Sequence, residues 1–134
     1  MNARWTDIGL VWLRVLMGLG SAHHGYAKIF GGQMAGFTQA VAGLGFPLPG
    51  LFAWMAALSE LVGGLCVALG LGTRLAAFFV FCTMSVAVFL HHRADPLPIK
   101  ELALAYWTVS GALIAMGGGR FTLGCLWKRR CGSC

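Results

Sequence analysis

Charge is what this chain of 134 residues has least of: 10% of its positions are Asp, Glu, Lys or Arg, against 58% hydrophobic residues. Acidic groups are scarcest, with Asp7, Glu60, Asp95 and Glu101 making up the whole set. Mean hydropathy is +0.77, and apolar runs at 8–22, 51–71, 75–90 and 102–116 leave too little polar sequence to coat a soluble helical core. The chain also lacks a glycine-rich nucleotide loop, a serine triad and a haem c attachment motif, and its histidines show no tight metal-ligand spacing. An enzyme carrying its own cofactor is therefore not expected, and no metal site is assigned.

What remains is membrane-like. Each run approaches the roughly 20 residues that cross a bilayer, so the expected fold is an all-α membrane protein, a bundle of four transmembrane helices. The formal charge of +6 then reads as topology, with no nucleic-acid partner. If all four runs span, Arg4, Arg74, Arg120, Lys128, Arg129 and Arg130 share one side. Lys28, Arg93 and Lys100 lie on the other, offset by Asp95 and Glu101. The positive-inside rule places both termini in the cytoplasm. The first run has the outline of a signal peptide, but Arg14 in its middle marks a retained helix. Between residues 31 and 50, Met34, Phe37, Val41 and Leu44 keep a helical period, which predicts a short interfacial or re-entrant helix. Gly43, Gly45, Pro47 and Pro49 then turn the chain back. Residues 1–124 form one membrane domain, and 125–134 a basic, cysteine-containing tail.

The chemistry-bearing residues begin with a stripe. Asp7, Arg14, Ser21 and Lys28 recur every seven residues, so a continuous helix stacks them on one face, turned to protein or water. Arg14 and Glu60 each sit near the middle of an apolar run, which predicts a buried pair. Its role is either proton handling, with Glu60 the partner that titrates, or a purely structural clasp. His23, His24, His91 and His92 fall at the outer ends of the first and third runs, with Glu101 at the same level. At most one imidazole of each pair faces inward, to relay protons, bind a metal or hydrogen-bond a quinone carbonyl; the alternative is interfacial polar residues. Lys28 either draws a polar or anionic ligand to the outer mouth or snorkels to headgroups. Aromatic side chains such as Phe79, Phe81, Tyr106 and Trp107 either line a slot for a flat ring or face lipid and core. Cys66 and Cys82 pack as small apolar residues. Cys125, Cys131 and Cys134 lie in the tail, the last two as a C-x-x-C motif suited to dithiol chemistry or half a metal site.

Several of these pieces, taken in order, resemble the DoxX family of small bacterial inner-membrane proteins. They are the mid-helix arginine of LRVLMGL (Arg14) and HGYAKIFGG (His24, Gly25, Lys28). GFPLPGLFAWMAALSELVGGL (Pro47, Glu60, Gly63, Gly64) and the turn GLGTRLAA (Gly70, Thr73, Arg74) follow. The resemblance spans about residues 8–124 and implies a four-helix bundle in the bacterial inner membrane. Some members look like subunits of a thiosulfate:quinone oxidoreductase, and others are tied to thiol redox complexes. The leading expectation is accordingly a subunit of a quinone-dependent oxidoreductase. In it Glu60 and Arg14 handle the proton, while His24, Lys28, His92 and Glu101 contact a quinone or polar ligand. Its electrons come from a redox partner protein, and the chain self-associates in the lipid bilayer. A non-catalytic anchor or assembly subunit and a small-solute or metal carrier are the competing classes.

Overall fold

Turn chemistry divides residues 3–130, the part that the computed structural model describes, into six helices. They are α1 (Ala3–Phe30), α2 (Met34–Gly43), α3 (Pro49–Leu69), α4 (Thr73–His91), α5 (Leu97–Met116) and α6 (Leu123–Arg130). Pro49 opens α3 and Pro98 lies in the first turn of α5, positions where a missing N–H costs the helix nothing. Leu69 gives way to Gly70 and Gly72, at φ 75° and 53°, and this left-handed pair reverses the chain into α4. Among the described residues there is no strand.

Three helices, α3, α4 and α5, are long and apolar enough to cross a membrane. The first helix is longer than any of them at 28 residues, but the polar stripe interrupts its hydropathy. That stripe is real: Asp7, Arg14 and Ser21 are buried, while Trp12, Leu16 and Leu19 on the opposite side are exposed. The short helix read from the period of 34–44 is present as α2. The basic tail starts within a helix, α6, that runs to Arg130; Cys131 and Cys134 lie outside the described residues.

Glycine sets how the helices meet. A Cβ on Gly18 would stand 2.5 Å from the Gly64 carbonyl oxygen, and one on Gly64 would stand 2.6 Å from the Gly18 oxygen and 2.7 Å from the Ala22 nitrogen. The backbones of α1 and α3 therefore touch, as small residues allow between apolar helices. Gly25 makes the same close approach to Ala57 and Leu61. These contacts fix α1 and α3 antiparallel, with residues 18–25 of one level with 57–68 of the other. On the far side of α3, α4 packs in turn on α5. Leu10, Met17, Val67, Ala77, Val80 and Leu113 fill the space between them.

The N-terminal half of α1 fastens the chain's far end. Asp7 Oδ1 accepts the Arg120 backbone N–H at 3.1 Å, and the Arg14 guanidinium donates to the Phe121 carbonyl. Asp7→Ala should lower stability by about 1–3 kcal/mol, because the Arg120 N–H loses its partner. A thermal midpoint in detergent that does not move would show that this tie carries no load.

Candidate functional site

Ion-pair geometry locates the site, and it departs from the expected pairing. Glu60 is buried at the middle of α3, and its two carboxylate oxygens accept from Lys28 Nζ at 2.7 and 2.6 Å. Arg14 is not its partner. Both residues sit near the middle of their runs, but the glycine contacts set a different register, which puts Glu60 level with the C-terminal half of α1. Ser21 confirms this by donating to the Glu60 backbone carbonyl at 3.2 Å. Lys28 is two turns further along, and its long stem reaches back. Arg14 lies 14 residues earlier, about 21 Å down the helix axis, against Gly70 and the Phe121 carbonyl.

The helix around Glu60 is irregular. Residues Ser59–Gly63 form one π turn, in which each bond spans an extra residue and the side chains are re-aimed. The outcome is that Ser59 and Glu60 both face a cavity, while Gly63 and Gly64 still face their neighbouring helices. A second π turn, Ala87–His91, ends α4 on the other side of the same cavity.

That cavity has a volume of about 470 Å³, within the roughly 300–1,000 Å³ of small-molecule sites. It is roofed by α2 through Phe37, Val41 and Leu44, and walled by Phe52, Met55 and Phe79 of α3 and α4. The polar groups gather at one end. Lys28 and Glu60 form its floor, the Thr83 hydroxyl donates to Ser59 Oγ at 3.2 Å, and His91 and His92 stand at the rim. The Phe37 ring covers Lys28, with Nζ 4.1 Å from its centroid, a favourable cation–π contact that also shields the pair. Met55, Phe79 and Cys82 line the cavity and are also exposed on the outer surface, so it opens sideways between α3 and α4.

Of the residues singled out in the sequence, the structure brings Lys28, Glu60 and His92 together here. His92 is oriented by a 2.7 Å hydrogen bond from Nδ1 to Asp95 Oδ2. The other three lie elsewhere. His24 packs edge-on to Tyr106, ring centroids 5.9 Å apart, away from the cavity. Glu101 is exposed on the first turns of α5, a helix that contributes nothing to the cavity wall. Arg14 is at the opposite end of the bundle. His23 and His91 are the exposed members of their pairs and His24 and His92 the half-buried ones, and both His91 and His92 line the cavity. Ser59, Thr83 and Phe37 were not assigned to the site; a lone threonine in the apolar run 75–90 was the available signal. Among the described residues no three His, Cys, Asp or Glu side chains converge as metal ligands.

Comparison with known proteins now adds to this geometry. The chain is 39% identical over 72 residues to the inner membrane protein YphA of Escherichia coli (strain K12), an alignment covering 53% of this chain and 50% of that protein. The chain thus matches about half the length of this curated relative. No solved structure matches. The family model named DoxX matches residues 9–93, a stretch that holds every residue lining the cavity and makes up well over half of the sequence: the chain belongs to the DoxX family.

Proposed function

We propose that the chain is a four-span inner-membrane subunit that binds a quinone in the cavity beside Lys28 and Glu60 and exchanges protons with it. One observation carries this reading: an apolar cavity that opens sideways and ends in a buried, hydrogen-bonded ion pair. A ligand that fits must be mostly apolar, flat enough to lie among phenylalanine rings, and polar at one end. The residues present meet a quinone on each count. Phe37, Phe52 and Phe79 flank the ring, and the Ser59 hydroxyl, which accepts from Thr83 and keeps its own O–H, and the third Lys28 N–H are donors for a carbonyl oxygen. When bound, a quinone supplies an acceptor for two electrons and two protons, the electrons coming from a partner protein.

The chain's own part is binding and proton transfer. Lys28 orients the polar end while holding the Glu60 side chain in place, and Phe37 covers the pair. Glu60 carries a proton across the last step, and His92, set by Asp95, passes it between Glu60 and the outer surface. Because Glu60 neutralises Lys28, the site favours a neutral head over an anionic one. In the same reading α1 is the fourth span, its length of about 42 Å sufficient to cross and its stripe turned inward. Helix α2 lies at the outer interface, and Arg4, Arg74 and Arg120 mark the cytoplasmic end that holds both termini. The name of the relative YphA supports the inner membrane as the location.

The test is native mass spectrometry of gently extracted protein, with and without added short-chain ubiquinone analogue. One quinone per chain is expected in the wild type and a strongly reduced fraction in Ser59→Ala, which leaves the ion pair intact. Protein that retains only phospholipid, even with quinone in excess, sinks the reading.

A further inference from the structure

The end of the bundle away from the cavity holds a second concavity that the proposed reaction does not use. It measures about 550 Å³ and lies where α3 passes into α4 and α5 into α6. Much of its wall is bare backbone, from Gly70 and Gly72 in the first turn and Gly117, Gly118 and Gly119 in the second. Helix α4 starts here at Thr73, and its N-cap residue, Gly72, offers no side chain to the first-turn N–H groups. Those groups, and the positive end of the helix dipole, are left for an acceptor from outside.

Two arginines add charge. Arg74 lines the concavity, with Nη2 donating to the Ala115 carbonyl at 3.2 Å, which lays its guanidinium along the rim. Arg14 is only 4% exposed, and its Nε and Nη1 have no hydrogen-bond partner among the described residues. Its Nη1 packs directly against Gly70, and so bears on the concavity's wall. Among the described residues no carboxylate forms an ion pair with either arginine. Asp7, the acidic residue at this end, accepts the Arg120 N–H and stands against Gly119, 2.9 Å from where a Cβ there would lie, while Glu60, Asp95 and Glu101 belong to the other end. A buried guanidinium with unmet donors and no ion-pair partner is costly, and an anion on the other side of Gly70 offsets its charge.

We propose that this concavity is an oxyanion site for a phosphate group, held by the N-terminus of α4 and by Arg74, with Arg14 supplying buried charge from behind Gly70. A phosphate suits it better than a single carboxylate, because its several oxygens can accept from the helix end and the rim arginine at once. The phosphodiester of a phospholipid headgroup and free inorganic phosphate present the same chemistry. This site is independent of the quinone reading and stands or falls without it.

Cys125 lines the same concavity, so its alkylation by N-ethylmaleimide, followed by peptide mass spectrometry, reports occupancy in the full-length protein. Phosphatidylglycerol or inorganic phosphate should slow that alkylation several-fold. Diacylglycerol, which has lipid tails without phosphate, and chloride at matched ionic strength should not. Protection by inorganic phosphate assigns the site to a soluble ligand; protection by phosphatidylglycerol alone assigns it to the headgroup. In Arg74→Gln the protecting concentration should rise about tenfold, the effect of one lost charge-assisted hydrogen bond. Arg74→Lys keeps the charge and should retain protection, which separates loss of the ligand from loss of the fold. No protection by either phosphate source, or protection undiminished in Arg74→Gln, overturns the proposal.

Discussion

Lys28→Met should be among the most damaging single substitutions in the chain, lowering stability by about 3–5 kcal/mol. The loss is more than that of the ion pair, because the substitution strands the Glu60 carboxylate, which is almost fully buried and accepts both its side-chain bonds from Lys28. Lys28→Met with Glu60→Gln removes both charges and should regain most of that stability, since a buried pair replaced as a unit is far less costly than one member left alone. The double variant also divides the possible roles. A structural clasp predicts that whatever function the protein has returns with the fold; the proton-handling role predicts a stable protein with no quinone exchange. Thermal unfolding in detergent, read beside quinone binding, gives both answers. If the two single costs simply add, the pair is not coupled and the site is misassigned. The same cycle run on Arg14 and Glu60 should show no coupling beyond about 0.5 kcal/mol, as for residues that share no partner.

Gly64→Val is the second large effect. A side chain there meets the Gly18 carbonyl and the Ala22 backbone, neither of which can swing aside as a side chain would. Overpacking of this kind costs about 1–3 kcal/mol or more, and relief requires α1 to move off α3. Because Lys28 and Ser21 ride on α1, that movement also loosens both bonds to Glu60, so ligand binding should fall along with the thermal midpoint. Gly36→Ala is the control. A Cβ at Gly36 meets nothing within 4 Å, and in the first turn of α2 the change should be neutral or stabilising by about 0.5–1 kcal/mol. Equal losses in the two variants would mean that the α1–α3 contact is not what holds the site.

These contrasts show which parts of the molecule the sequence discloses. The heptad stripe is legible because it depends only on helical geometry within one element: Asp7, Arg14, Ser21 and Lys28 each meet a partner in the folded chain. Their partners are not legible. Register between α1 and α3 is set by backbone contact at Gly18, Gly25 and Gly64, and hydropathy carries no information about how far one helix slides along another. Counting inward from the ends of the apolar runs put Arg14 beside Glu60; the helix that holds Arg14 extends to Phe30, well past the run, and this brings Lys28 into place. The helix at 34–43 follows from its period, but its service as the roof over Lys28 depends on where the loop at Gly45 and Leu48 directs it. The π turn at Glu60 was not legible, since Ser59 and Gly63 within it read equally well as small residues at a helix contact.

The sideways opening between α3 and α4 changes what concentration means for this site. A ligand that arrives through Met55, Phe79 and Cys82 comes from the hydrocarbon phase, so occupancy follows its mole fraction among the lipids and not its amount per volume of water. Adding detergent then empties the site by dilution while the intrinsic affinity stays the same, and two laboratories using different micelle contents would measure different apparent affinities for one protein. The same partition favours long-tailed ligands over their water-soluble analogues in a native membrane, however similar the two look when docked against Glu60.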